Sequence, residues 1–325
     1  MEVLFDDRWI GYHGIGRFAK EVSVRCAFTP LQLSGKPLEM ADPWRLYFSL
    51  RAKETHFFSP GYNVPFGKPC SFSFTLHDLM QLEVLELKSA VKTAYFDFLI
   101  KPAIKNSAVV FTVSEFSREK IIQWSGVAPE KVVSVGNGVS PCFSPSGPLW
   151  HHKRPYLLYI GNQRAHKNVE GLIMAFAQSN LKSNFDILLN GSPSKGVARK
   201  ILDHNLGGHL CFLGDVSEDL LPSLYRGAHA LVMPSKYEGF GLPLVEAMAS
   251  GTPVLSSKLT AMPEVCGTAA LYFDPHDFES FVNGLNQLED VDLLAKLKIE
   301  GIKQAAKFSW NNVADRVYSS IMKYG

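Results

Sequence analysis

The sequence predicts an α/β protein made of two doubly wound, Rossmann-like domains facing across a cleft. Three observations carry this. Short apolar strand patterns alternate with helical patterns, as in parallel sheets covered on both faces. A break, Ser140-Pro141-Cys142-Phe143-Ser144-Pro145-Ser146-Gly147-Pro148, can continue neither a helix nor a central strand, and the alternation restarts after it. The length, 325 residues, exceeds one average domain and suits two.

In the first half, 3–5 reads as a strand, followed by a loop carrying Gly11, Gly14 and Gly16 and a helical pattern over 17–27. Strand patterns follow at 45–49 and 71–76, a helical pattern at 89–104, a strand at 109–113 and a helix at 115–124 with Ser114 as its N-cap. After the break, strands are expected at 156–160, 185–189, 210–213, 230–233 and 254–256. Helices are expected at 169–179, 220–227, 241–250 and 278–288. The domains are therefore placed at 1–145 and 146–307, with 308–325 as a separate last helix.

Composition narrows the function. Lys and Arg number 33 against 31 Asp and Glu, a net charge of +2, which gives no sign of a nucleic-acid partner. The five cysteines are scattered and form no CxxC, so neither a disulfide framework nor a zinc site is expected and a cytoplasmic setting fits. Acidic Glu2, Asp6 and Asp7 stand where a signal peptide would be basic, and no apolar run reaches the roughly 18 residues of a spanning helix.

The most informative stretch runs from Pro234 to Val254. It follows an apolar strand and contains Glu238-Gly239-Phe240-Gly241-Leu242-Pro243, then Glu246. Two glycines let backbone amides approach a ligand, and proline in the first helical turn loses no bond. A helix N-terminus at a sheet edge attracts anions, and acceptor-only carboxylates suit sugar hydroxyls. A solvated helix start is the plain alternative for the two glutamates; the flanking glycines favour a ligand.

This stretch resembles the signature of the retaining glycosyltransferase family 4, whose fold is called GT-B. Glu238 and Glu246 match the spacing of the family's two glutamates. Tyr156-Leu157-Leu158-Tyr159-Ile160-Gly161-Asn162 with His166-Lys167-Asn168, and Phe212-Leu213-Gly214, Met262-Pro263-Glu264-Val265 and Phe273-Asp274-Pro275, are similar to family segments in the same order. So are Thr75-Leu76-His77-Asp78-Leu79 and Thr112-Val113-Ser114-Glu115-Phe116-Ser117-Arg118 in the first half, and Phe308-Ser309-Trp310 resembles the start of the family's last helix, which returns to the N-terminal domain.

The resemblance implies transfer of a hexose from a nucleoside diphosphate sugar to a hydroxyl of a glycan or lipid-linked acceptor, with retention and without a metal or other cofactor. By the same resemblance Glu238 contacts the transferred sugar and Glu246 the ribose. The turn Gly239, Phe240, Gly241 and Leu242 presents amides to phosphate and sugar, and Lys167 neutralises the diphosphate. Gly14 and Gly16 meet the β-phosphate, and His77 stands beside the sugar. The family often carries an arginine where this chain has Asn162, and Arg164 is the expected substitute. The setting implied is bacterial surface-polysaccharide or lipopolysaccharide synthesis, with mannosyltransferases the nearest in pattern.

Two other readings of these residues were open. Gly14-Ile15-Gly16-Arg17-Phe18-Ala19 fits a dinucleotide fingerprint and so an NAD-linked oxidoreductase, but lies too far beyond its strand. A non-catalytic sugar-nucleotide or glycan binder is opposed by the presence of Glu238, Lys167 and His77. In the segment 89–105, with Lys88, Lys92, Lys101 and Lys105, residues 95–100 read as part of a core-packed helix with snorkelling lysines. The alternative is peripheral contact of the N-terminal domain with the inner face of a membrane. Asp290 and Asp292 lack a preceding strand and give no metal site.

Overall fold

The computed structural model describes residues 1–11, 13–51 and 54–325. The chain forms two compact units, Met1–Gly138 with Ser309–Gly325, and Val139–Phe308.

The first unit contains β1 (Val3–Phe5), β2 (Thr29–Pro30), β3 (His56–Ser59), β4 (Ser71–Thr75), β5 (Val110–Thr112) and β6 (Val132–Ser134). They form one parallel sheet in the order β2-β1-β3-β4-β5-β6. Because side chains alternate across a strand, Leu4, Phe57, Phe72 and Phe74 share a core cluster with Leu46, Leu50, Ile100, Ile104 and Ile121 of the covering helices. Phe58 and Phe111 meet through their rings. The C-terminal helix Trp310–Tyr324 packs in this unit with the helix Gly14–Ser23 and the turn after it, through Phe18 against Trp310 and Phe28 against Tyr318.

The second unit contains β7 (Tyr156–Tyr159), β8 (Asp186–Leu189), β9 (Leu210–Phe212), β10 (Ala230–Met233), β11 (Val254–Ser257) and β12 (Leu271–Phe273). Their parallel order is β12-β11-β10-β7-β8-β9. Leu157, Ile187, Val232 and Leu255 share a core with Ile173 and Phe176 of the helix Val169–Gln178 and Phe281 of the helix Phe278–Asn286. The helix Leu242–Ala249 packs on the helix Val291–Ala305, where Gly301 lies against Met248.

Several expectations change. The division falls after Gly138, not after 145. The Pro-rich break stays with the second unit because Arg226 donates to the carbonyls of Pro148 (2.8 Å) and Ser144 (3.3 Å), and Phe143 packs on Tyr225. Residues 45–49 form no strand but lie in the helix Asp42–Leu50. Leu46 and Leu50, four apart, are both buried, so helical period overrides the aromatic content of the run. Gly14 and Gly16 are not in a loop but in the first turn of the helix Gly14–Ser23. The strands β2, β3, β6 and β12 and the helices Lys195–Asp203 and Val291–Ala305 had no sequence counterpart. The β3 run His-Phe-Phe-Ser is four residues long, too short for a period to show.

Candidate active site

In an open parallel sheet, ligands bind beyond the strand C-termini where strand order reverses. In the second unit that point lies between β7 and β10, which pair while their chain continuations run to opposite sides. The loops leaving these two strands carry most of the expected site residues.

After β7, Tyr159 donates its hydroxyl to the Asn162 carbonyl at 2.5 Å, and the Gly161 amide donates to the Asn190 side chain at 2.7 Å. Burial, reinforced by the Glu238 charge, pushes the Tyr159 phenol well up, so it stays a donor. Asn162 and Arg164 are exposed, and the Asn162 side chain accepts the Arg164 amide. A short turn, Ala165–Lys167, ends at Asn168 in the left-handed region (φ 55°), a conformation asparagine tolerates. The helix Val169–Gln178 then begins, leaving Lys167 at the sheet edge.

After β10 the chain turns through Pro234 to Gly241. Gly241 has φ 93° and caps the helix Leu242–Ala249, and a Cβ there would press on Leu244. Pro243 occupies the first turn. Gly239, Phe240 and Gly241 are buried and Leu242 is half-buried. Phe240 is held by an edge contact with Phe308.

The two loops are joined. The Lys236 amide donates to the His166 carbonyl at 2.7 Å. Lys167 Nζ donates to both Glu238 oxygens, at 2.7 and 2.8 Å, in a largely desolvated pair. Buried Ser235 adds its hydroxyl to Glu238 Oε1 at 2.7 Å. The Glu238 amide donates to Thr260 Oγ1 at 3.1 Å. Glu246 is also buried, inside the helix, and accepts the Tyr225 hydroxyl at 2.9 Å. The site thus sets a cation and a carboxylate side by side at a helix N-terminus, the arrangement needed to hold an anion and a polyol together.

The first unit places Gly14 and Gly16 after β1, at its own reversal point between β1 and β3, and His77 after the neighbouring β4. His13 caps the helix Gly14–Ser23, its Nδ1 accepting the Gly16 amide at 3.0 Å. A Cβ on Gly16 would collide with the Gly11 backbone, so the close turn requires glycine, whereas Gly14 faces open space. His77 Nε2 donates to the Pro60 carbonyl at 2.9 Å, and the ring meets the edge of Phe18. Burial pulls its pKa down to about 4, partly opposed by the Pro60 bond and aided by His13, so the ring is neutral near pH 7.

Sequence reasoning missed the supports. Arg8 bridges Asp6 (2.6 Å) and Asp42 (2.6 Å), both buried, and Asn63 donates to the same two carboxylates at 2.7 and 3.1 Å. This braces the loops after β1 and β3. Partners 34 and 57 residues apart leave no local signature. Ser235, Thr260, Tyr159 and Tyr225 were likewise unassigned; Ser235, three before Glu238, was the one within reach of motif reading.

Two doubly wound units, the second with a helix end suited to phosphate beside paired Lys and Glu, have the GT-B architecture. Residues 145–305 match the family described as Glycosyl transferases group 1. The second unit is therefore a group 1 glycosyltransferase domain, and the chain is a hexosyltransferase enzyme. It is 29% identical over 292 residues to O-antigen chain mannosyltransferase B of Escherichia coli, covering 84% of this chain and 76% of that one. It is 29% identical over 247 residues to O-antigen chain mannosyltransferase RfbU of Salmonella typhimurium, covering 75% and 67%. Among solved structures it is similar to HepE of Anabaena in complex with UDP and glucose, with TM-score 0.80, 16% identity and 99% of each chain covered. It is also similar to WaaG, a glycosyltransferase of lipopolysaccharide biosynthesis, with TM-score 0.75, 14% identity and full coverage of both chains. At these identities the structures show the fold alone.

Proposed function

We propose that this enzyme transfers a hexose, with mannose favoured, from a nucleoside diphosphate sugar to a hydroxyl of a glycan or lipid-linked acceptor, with retention and without a metal. The observation that carries this is the Lys167–Glu238 pair at the start of the helix Leu242–Ala249. The mannosyltransferase relatives support the sugar, and the UDP bound in the HepE structure supports a nucleotide donor.

Lys167 and the amides of Phe240 and Gly241 take the diphosphate, with Arg164 beside Asn162 as second cation. Charge that develops on the departing phosphate is then met by preorganised positive groups. Glu238 holds the hexose hydroxyls and Glu246 the ribose. In the first unit the same reading assigns Gly14 and Gly16 to donor phosphate and His77 to the sugar. Neutral His77 suits a hydrogen-bonding role. A front-face route, in which the leaving phosphate accepts the acceptor's proton, needs no enzyme nucleophile. Work at the inner face of a membrane, through the first unit, belongs to the same reading.

The test is a thermal-shift screen of GDP, UDP, GDP-mannose, UDP-glucose and NADH, followed by hydrolysis and transfer assays. One nucleoside diphosphate at a hundred times its Kd should add about 2.7 kcal/mol of stability, and the anomeric configuration of the donor should persist in the product. Failure of every nucleotide sugar to bind or turn over would sink the proposal.

A further inference from the structure

Five non-glycine residues among those described have positive φ, and Thr260, at 58°, is the β-branched one. A branched Cβ is the poorest fit to the left-handed region, so the fold keeps this conformation at a cost in stability. Such a residue persists where its surroundings over-determine it, and strain of this kind gathers at functional sites.

The surroundings say what the conformation achieves. Thr260 lies in the turn after β11, and its Oγ1 accepts the Glu238 amide at 3.1 Å. The next residue, Ala261, directs its amide to the Glu238 carbonyl at 3.5 Å. The turn is anchored by the Leu259 amide on Ser257 Oγ and the Met262 amide on the Leu259 carbonyl, both 3.3 Å. Both peptide groups of Glu238 are thus held from the β11 side, while Ser235 and Lys167 hold its carboxylate from the other. Glu238 precedes Gly239 and Gly241, where the backbone has little stiffness of its own.

We propose that Thr260 is a positioning residue for the transfer reaction: its strained backbone aims the hydroxyl at the Glu238 amide and so fixes the carboxylate that orients the hexose. This rests on the reading of Glu238 as the sugar-contacting residue. Orientation of a reacting sugar is sensitive to small displacements, since about 1 Å can cost around a hundredfold in rate. The latch therefore contributes to turnover, while bare nucleoside diphosphate, which carries no hexose, is indifferent to it.

A purely structural role and a positioning role move stability and turnover differently. Glycine at 260 relieves the backbone strain but removes the hydroxyl. Thr260→Gly should melt no lower than the parent yet turn over about tenfold more slowly or worse, with unchanged affinity for GDP or UDP. Thr260→Ser keeps the acceptor and should recover turnover to within about twofold of the parent. The measurements are melting temperature, kcat and nucleotide Kd, using GDP-mannose, or UDP-glucose if the screen selects it, with Glu238→Ala assayed alongside. Full turnover in Thr260→Gly with Glu238→Ala inactive would overturn the positioning role alone. Full turnover in Glu238→Ala would overturn it together with the reading of Glu238. Equal slowing in the serine and glycine variants would also overturn it, because the hydroxyl would then be irrelevant.

Discussion

Lys167 and Glu238 come from loops 71 residues apart and meet with 14% and 8% of their side chains exposed. A pair so placed is costly to break from one side, because the remaining charge stays desolvated. Lys167→Ala leaves the Glu238 carboxylate with Ser235 but no cation. It should lower the unfolding free energy of the second unit by about 3 kcal/mol. Adding Glu238→Gln removes the uncompensated charge and should recover part of that loss, which urea denaturation of the two variants would read. A double variant no more stable than Lys167→Ala would show that the pair contributes through something other than charge. The two partners were each visible in sequence, Lys167 after a strand and Glu238 before a glycine turn. Their direct contact was not, since it depends on β7 and β10 being neighbours. Thr260 was invisible for a related reason: its φ and its hydroxyl's partner are set by the fold, and no local pattern announces either.

The segment from Ser89 to Asn106 shows the same division at the level of an element. Its lysines and helical length were legible, but not its break into Ala90–Tyr95, a wide π turn at Phe96–Ile100 and Lys101–Asn106. The Lys101 amide bonds five residues back to Phe96, ahead of Pro102, which has no amide to give. The core-packed expectation describes one stripe: Phe96, Ile100, Ala103 and Ile104 are buried. It fails for Phe98, which like Val91 and the nearby Leu85 is more than 80% exposed. Between 88 and 105 stand Lys88, Lys92, Lys101 and Lys105 against a single acid, Asp97, so the segment's charge is 4 − 1 = +3 while the chain's is +2. Apolar side chains flanked by lysines favour an anionic bilayer, each lysine adding about 1 kcal/mol near the surface. The chain should cosediment with phosphatidylcholine vesicles containing phosphatidylglycerol and not with phosphatidylcholine alone. Binding should weaken in high salt and in a Val91→Ser, Phe98→Ser variant. Equal sedimentation of parent and variant would remove this face from any membrane role.

At the level of the whole chain, the last helix belongs to the unit that contains the N-terminus. Trp310, Val313, Ala314, Val317 and Ile321 are buried there. Cys26 contacts the Ala314 carbonyl, Arg25 donates to Asn311 at 2.8 Å, and a Cβ on Gly138 would strike Trp310. Burying a large apolar side chain contributes about 1.5–3 kcal/mol, so these residues together rival the ~5–15 kcal/mol stability of a domain. A chain truncated after Phe308 should lose protection from amide exchange over the helix Gly14–Ser23 and show a lower melting transition for the first unit. The second unit should keep its own exchange protection, because its core cluster around β7, β8, β10 and β11 contains no residue of 309–325. Unchanged protection over 14–23 would show that the last helix is dispensable.

Alternation of strand and helix, the N-cap at Ser114 and the glycine turn after β10 were determined by the sequence itself. Each rests on local period, capping or backbone freedom, which neighbouring residues decide among themselves. Strand order, the shift of the unit boundary from 145 to Gly138 implied by Arg226, and the bracing of Asp6, Arg8, Asp42 and Asn63 were decided by tertiary structure. So was the meeting of Lys167, Ser235, Thr260 and Glu238. These are contacts between distant segments, and their partners are chosen when parallel strands assemble side by side and bring their C-terminal loops to one edge.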